Sequence, residues 1–320
     1  MKYSRLTLLL CLLFQPMAWA ADTMHAMVLN DGKLELQTLP MPQPQAGQVR
    51  IRVRAASVNP VDWKLAQRAA PGSHSIPGRD LAGVIDAVGA DAGTWHAGQT
   101  VIAVAAGGSY TEFALASVHA VALKPAHLSF AEAAGIPIVG ETAWRAMVVV
   151  ANVQRGQRVL IQGGAGGVGS SAVQIAKARG AYVIATASPS HNTLLRSLGA
   201  DEVIDYHDAH AEDAIRNVDV VLNTVDAQTG ARSIGMIKSG GILVSVVGAP
   251  PAAPCAAAQI RCATTGPVTG EYLSALSDLA DHGQFRVNID QRLPLIQAEK
   301  SWELNRAGHT GGKIILEVAH

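Results

Sequence analysis

Residues 163–169 read Gly-Gly-Ala-Gly-Gly-Val-Gly, and no other segment restricts the fold so strongly. Gly164, Gly166 and Gly169 satisfy G-x-G-x-x-G. The short apolar run Val159-Leu160-Ile161 precedes them, and a helical pattern follows with Val168, Ala172, Ile175 and Ala176 on one face, closed by Gly180. In such a strand–turn–helix unit the first glycine permits the tight turn. The second lets backbone approach a pyrophosphate, and the third lets helix pack on strand. The helix N-terminus adds N–H groups and partial positive charge. The spacing therefore predicts a dinucleotide site built on Gly164, Ala165, Gly166, Gly167, Val168 and Gly169.

The pattern around this turn alternates β and α. Ala181 to Thr186 reads as the next strand. A helix capped by Ser190 carries Leu194, Leu195 and Leu198 and stops at Gly199. Val203-Ile204, Val218 to Leu222 and Ile242 to Val247 read as three further strands. Such alternation predicts an open, doubly wound parallel sheet with helices on both faces. Upstream, from Met24 to about Ala120, the signals are short strands. Val49-Arg50-Ile51-Arg52-Val53-Arg54-Ala55 alternates apolar and basic residues, and Leu81 to Val88, Val101 to Ala105 and Tyr110 to Ala116 are further apolar runs. Gly and Pro punctuate them, which predicts a compact, partly open β-barrel. Ser129 and Glu132 form a capping-box pair before one helix, and Gly140 to Val150 continues as a second. The tail ends in a strand-like Lys313 to Val318.

Composition narrows the class. The 320 residues are 49% hydrophobic and 16% charged, a globular balance that excludes intrinsic disorder. Lys plus Arg and Asp plus Glu are both 25, with no basic cluster, so nucleic acid is not an expected partner. Three cysteines exclude both a disulfide scaffold and a four-cysteine zinc site. At the N-terminus, Lys2 and Arg5 precede an apolar stretch from Leu6 to Phe14, then Pro16 and Ala18-Trp19-Ala20, the order of a secretory signal over residues 1–20. This nine-residue stretch falls short of the ~20 that span a bilayer, so no stable membrane insertion follows its removal. A periplasmic or secreted protein is expected. Met24 or Met27 would also begin a sensible chain, which would then stay in the cytoplasm.

The acid that NAD sites place about 20 residues beyond the glycines to bind ribose hydroxyls is missing here. The place reads Thr186-Ala187-Ser188-Pro189-Ser190-His191. A 2′-phosphate would not be repelled, and Ser188, Ser190 and His191 can donate to it, which favours NADPH. The competing reading is that these residues only cap the next helix.

Several segments together resemble the zinc-less, quinone oxidoreductase-like branch of the medium-chain dehydrogenase/reductase superfamily. They are Val58-Asn59-Pro60-Val61-Asp62-Trp63-Lys64, Pro77-Gly78-Arg79-Asp80-Leu81-Ala82-Gly83-Val84, the glycine turn continuing through Lys177, Leu198 to Tyr206, and Gly308 to Lys313. The resemblance spans residues 24–318. It implies a GroES-like catalytic domain over residues 21–145, completed by 283–320, around a Rossmann domain over 146–282, with NADPH in the cleft. It places Thr142 near the nicotinamide, and Ser188 and Tyr206 toward the 2′-phosphate. Asn223, Thr224, Val225, Val247 and Gly248 would lie along the cofactor, and the turn at Asn59 and Asp62 would border the substrate pocket. Relatives often carry Arg where Gly311 or Gly312 stands. Where zinc relatives place ligands, this chain has Asn59 and Arg79-Asp80. Arg79 cannot ligate a cation and Asn59 is a poor zinc ligand. His207-x-x-His210 has metal-like spacing, but no third ligand is nearby, and a solvated turn explains it as well.

Without zinc, the chemistry rests on orienting the nicotinamide against an electrophilic carbon. Quinones and α,β-unsaturated carbonyls accept hydride because charge delocalises onto oxygen. Asn59, Asp62 and Tyr110 are the candidate catalytic residues, with Lys64 beside them. Each also has a structural reading: a turn for Asn59-Pro60, a helix cap for Asp62, strand core for Tyr110. A small-molecule quinone or enone is the expected partner, and a homodimer is compatible with the pattern. The alternative function is an exported dinucleotide-binding or scaffold protein without catalysis, since fold does not fix function. Once the leader is removed, the cysteines left are Cys255 and Cys262. They would form a bridge if the chain reverses between them, or stand apart if Ala256-Ala257-Ala258-Gln259 is a helical turn.

Overall fold

The computed structural model describes residues 22–70, 72–208, 210–308 and 311–319. The expected leader, residues 1–20, lies outside them. Two sheet systems organise the chain. Six parallel strands stand in the spatial order Glu202–Asp205, Tyr182–Ala187, Arg158–Gln162, Val218–Asn223, Ile237–Ser245, Arg261–Thr264. The order reverses between Arg158–Gln162 and Val218–Asn223, and the glycine turn leaves the sheet at that switch point, where open α/β sheets open a ligand crevice. The inner strands are buried on both faces over most of their length, and Val159, Leu160 and Ile161 are fully enclosed, while the edge strands Glu202–Asp205 and Arg261–Thr264 are only partly covered. That is why the inner strands read as continuous apolar runs rather than alternating ones.

The second system is a seven-stranded sheet. It runs Ile289–Pro294, Lys313–Glu317, Gln48–Ser57, Asp80–Val88, Thr100–Val104, Val121–Leu123, with Phe113–Ser117 also pairing Gln48–Ser57. A three-stranded sheet of Lys33–Pro40, Thr23–Asn30 and His74–Ser75 accompanies it. Val49, Ile51 and Val53 point into the core and the arginines between them do not, as the alternation predicts. Their core includes Met27, Leu81, Ile85 and Trp302. Two ends of the chain thus build one sheet: Ile315 and Leu316 pair with Ser57 and Ala56.

The helix Pro137–Trp144 continues as a π-helical segment Arg145–Val150, starting three residues before the expected Gly140. Ahead of it, Ser129 Oγ accepts the Glu132 N–H and Glu132 returns a carboxylate to the Ser129 N–H, the expected capping box. Other boundaries shift. Tyr110 lies before its strand, which begins at Phe113, and Val247 lies beyond its strand, which ends at Ser245. Ser190 is not a cap: a 3₁₀ turn Pro189–His191 precedes the helix Asn192–Ser197, and the Ser190 hydroxyl bonds within that turn. The helix Ala298–Ala307 carried no strong sequence signal; it buries only Ala298, Ser301 and Trp302.

Cys255 and Cys262 are bridged, with Cα atoms 6.2 Å apart. Both local alternatives contribute. The helix Ala252–Ala257 carries Cys255, and Gln259 at φ +55° reverses the chain so that Cys262 returns on the edge strand.

Candidate active site

The glycine turn holds its shape by close approach. The left-handed residue is Gly163, at φ +77°, rather than Gly164. At Gly169 a Cβ would stand 2.1 Å from the Gly163 carbonyl oxygen, so only glycine lets the helix start against the strand end. The helix Gly167–Ala178 begins at the exposed Gly166. Its first N–H groups, over Gly167, Val168 and Gly169, have no intrahelical acceptor and carry the positive end of the helix dipole. A cavity of about 510 Å³ opens beside the turn, walled by Gly163, Thr186, Tyr206, Val225 and Arg232, with Asp208 and Glu212 also on its wall. A crevice of this size, with free backbone donors for a pyrophosphate, fits a dinucleotide.

The cofactor candidates fall into groups. Tyr206 and Val225 line that cavity. Thr224 ties the turn down, donating from Oγ1 to the Gln162 carbonyl at 2.7 Å. Asn223 is buried and donates from Nδ2 to the Asp226 carbonyl at 2.7 Å. Val247 and Gly248 border a separate small cavity of about 40 Å³ with Asn223. Ser188 and His191 are not on the wall of the large cavity. They form a cluster with Ser190 at the end of Tyr182–Ala187, with Ser188 Oγ 2.8 Å from His191 Nδ1 and 3.0 Å from Ser190 Oγ. Thr142 donates to the Ile138 carbonyl one turn back, at 2.7 Å. Arg232 had no motif to announce it, yet it is the cation on the cavity wall.

The catalytic candidates converge on one buried network. Pro60 starts the helix Pro60–Ala66, and Asp62 reaches back to accept the Asn59 N–H at 2.9 Å. The same oxygen, Oδ2, accepts the Tyr110 hydroxyl at 2.9 Å, and Trp302 Nε1 donates to that hydroxyl at 3.3 Å. Asn59 spends its amide elsewhere: Nδ2 donates to Asp80 Oδ2 at 2.8 Å, and Oδ1 accepts from Lys313 Nζ at 2.5 Å. Asp80 Oδ1 accepts the Ile138 N–H at 2.8 Å, tying the barrel to the helix that bears Thr142. Lys313, the first residue of the last strand, also donates to the Val58 carbonyl at 2.8 Å.

Electrostatics follow from burial. Loss of water pushes Asp62 up to about 7, against the Asn59 N–H that lowers it, with the nearby Asp80 charge adding to the rise. Burial likewise lifts Asp80 to about 6 although Lys313 draws it down, and burial lowers Lys313 itself. Tyr110 rises well above the usual phenol range for the same reason. Asp62 Oδ1 has no partner and is enclosed. Asp62 lines a third cavity, of about 160 Å³, together with Leu65, Ile76, Gly78 and Arg79. Tyr110 and Asn59 are almost wholly buried behind it. Lys64 is exposed over the Trp63 ring, outside that wall.

The His207 and His210 rings turn away from a shared site: each Nδ1 meets its own carboxylate, Asp205 at 2.8 Å and Asp213 at 3.0 Å. Among the described residues, no group of three or more His, Cys, Asp or Glu side chains is placed to hold a metal ion.

A parallel sheet with a glycine turn at its switch point, joined to a second sheet system that carries a buried polar network, marks a dinucleotide-binding oxidoreductase. Residues 45–154 match the alcohol dehydrogenase GroES-like domain family, and residues 198–316 match the family described as zinc-binding dehydrogenase. The chain is 30% identical to a chloroplast envelope quinone oxidoreductase homolog of Arabidopsis thaliana, over 93% of this chain and 99% of that protein. It is 33% identical to the chloroplastic NADPH-dependent alkenal/one oxidoreductase of the same plant, over 82% and 70%. The solved quinone oxidoreductase of Coxiella burnetii superposes with a TM-score of 0.84 at 31% identity, covering 93% and 100%. The chain therefore belongs to the medium-chain dehydrogenase/reductase superfamily, as a quinone oxidoreductase-like protein.

Proposed function

We propose that this protein is an NADPH-dependent reductase of quinones and α,β-unsaturated carbonyls that works without zinc. The observation that carries the reading is the pair of residues at the places of the superfamily's zinc ligands. Asn59 has both amide atoms committed to Lys313 and Asp80. Arg79 is itself a cation. Relatives named for quinone and alkenal/one reduction support the substrate class.

The nicotinamide cofactor supplies a hydride equivalent from C4 when bound. The helix N-terminus at Gly166–Gly169 and the 510 Å³ crevice hold its phosphates and ribose. Thr142, fixed by its bond to the Ile138 carbonyl, is the residue we assign to the nicotinamide side. Three features favour NADPH over NADH: the acid-free end of Tyr182–Ala187, the Ser188–Ser190–His191 cluster, and Arg232 on the cavity wall. The protein's task is then to bring a conjugated carbonyl against the ring and exclude water. We place the boundary between the two domains where the helix Pro137–Trp144 runs on into Arg145–Val150, and again near residue 282. The bridged Cys255 and Cys262 favour an oxidising compartment, in keeping with export.

The test is sequential. NADPH binding is measured by fluorescence, then NADPH oxidation is followed with a panel of quinones and enones. Binding with turnover supports the reading. Binding without turnover on any member of the panel contradicts it.

A further inference from the structure

Arg79 is a half-buried guanidinium that makes no ion pair among the described residues. One hydrogen bond occupies it, Nη2 donating to the Val268 carbonyl at 3.3 Å, which leaves the rest of its fork of donors unspent. Val268 belongs to the chain that leaves the parallel sheet, so Arg79 reaches from the barrel across the seam between the two sheet systems. Its neighbour Asp80 holds Ile138, one helical turn from Thr142. Arg79 also lines the 160 Å³ cavity, whose other walls are mainly apolar, among them Leu29, Leu65, Ile76 and Pro77. The one other ionisable group on that wall is Asp62, with the enclosed, unpartnered Oδ1. The Arg79 charge also acts on the neighbouring Asp80 carboxylate, and its spare N–H donors border the cavity, where a ligand oxygen can take them.

We propose that Arg79 is a catalytic residue that binds the carbonyl oxygen of the substrate and stabilises the oxyanion formed there, the task a zinc ion performs in zinc relatives. The proposal rests on the reductase reading above. Hydride arrives at the carbon β to the carbonyl. The C=C π pair moves to the α-carbon and oxygen, giving an enolate whose oxygen takes the guanidinium N–H bonds. A solvent proton then adds to the α-carbon of an enone; with a quinone it adds to the oxygen, after which the sp3 ring carbon loses a proton to solvent and the second oxygen gains one, giving the hydroquinone. Preorganised donors aimed at a developing charge in a dry site are worth about 10²–10³ in rate. The cavity holds on the order of five waters at ~30 Å³ each, so the favoured substrates are single-ring quinones and short enones.

Arg79→Met and Arg79→Lys are compared with wild type using NADPH and 2-cyclohexen-1-one. Arg79→Met is expected to lose about 10²-fold in kcat with NADPH affinity unchanged within twofold, and Arg79→Lys to recover part of the loss. A second readout needs no turnover: binding of 4-nitrophenol to the NADP⁺-loaded protein. Wild type is expected to hold it as the phenolate and lower its apparent pKa, whereas Arg79→Met does not. Arg79→Met turning over cyclohexenone within threefold of wild type, or binding nitrophenolate as wild type does, overturns the role of Arg79 alone. A wild type that binds nitrophenolate through Arg79 yet reduces no quinone or enone overturns the reductase reading and keeps the anion site. If Arg79→Met fails to fold, Arg79→Lys decides: it keeps the charge and loses the fork, so wild-type kcat and wild-type nitrophenolate affinity in it refute the proposal.

Discussion

Asp62 shows how one buried carboxyl sets a pH dependence. Its folded value of about 7 lies above the unfolded value near 4, so the folded chain keeps a proton that the unfolded chain releases. Stability from this group is therefore greatest at low pH and declines as pH rises from about 4 to about 7. Asp62→Asn retains an oxygen acceptor for the Tyr110 hydroxyl and the Asn59 N–H and removes the titration. The expected outcome is a difference in unfolding free energy, variant minus wild type, that grows by a few kcal/mol between pH 4 and 7 and then levels. Urea melts across that range measure it, and a flat difference contradicts the assignment. A second residue-scale prediction concerns Ser188. Ser188→Asp sets a carboxylate beside His191 and Ser190 where the 2′-phosphate is assigned. It should raise the NADPH KM by about tenfold or more and shift preference toward NADH. Steady-state kinetics with both cofactors test this, and equal wild-type affinities count against the 2′-phosphate site.

At the scale of elements, the bridge between the helix Ala252–Ala257 and the edge strand Arg261–Thr264 closes a short loop. An edge strand is held by a single neighbour, here Ile237–Ser245, so a covalent tie at Cys262 restrains the strand most exposed to fraying. Replacing both cysteines by serine should lower stability by ~2–3 kcal/mol, the chain-entropy value for a loop of this length. Thiol labelling of the denatured, unreduced protein should find neither Cys255 nor Cys262 free; two free thiols would contradict the bridge. The bridge also shows where sequence reasoning stops. The spacing of seven allowed a bridge but could not reveal that Gln259 turns left-handed and aims Cys262 back at Cys255. The glycine turn was legible because Gly163 and Gly169 answer backbone demands, a left-handed φ and a close approach to a carbonyl. Five of the six parallel strands were legible, the inner ones because burial on both faces leaves apolar runs; the edge strand Arg261–Thr264 was not, because it is short, partly exposed and begins on arginine. The helix Ala298–Ala307 was not, because it buries only three residues and its remaining face is polar. Asn59, Asp62 and Tyr110 were legible as candidates, but their convergence on one network was not: Lys313 enters it from 254 residues beyond Asn59. The role inferred for Arg79 had one sequence signal, a cation where a zinc ligand would stand.

For the whole molecule, the sheets are joined by contacts that no single stretch of sequence contains. Lys313 pins the final strand to the turn at Asn59, Asp80 pins the barrel to the helix bearing Thr142, and Arg79 reaches Val268 across the seam. The parallel sheet carries the 510 Å³ crevice and the N-terminal sheets carry the small apolar cavity, and the proposed chemistry rests on cofactor and guanidinium rather than on a metal. Among the described residues no helix is long and apolar enough to cross a membrane. The most direct measurement is NADPH oxidation by protein dialysed against EDTA, with 1,4-benzoquinone and 2-cyclohexen-1-one as acceptors and the zinc content determined in the same sample. The account predicts turnover equal to that of undialysed protein, substoichiometric zinc, and a rate with NADPH well above that with NADH. Turnover that disappears on dialysis and returns with added zinc would contradict it.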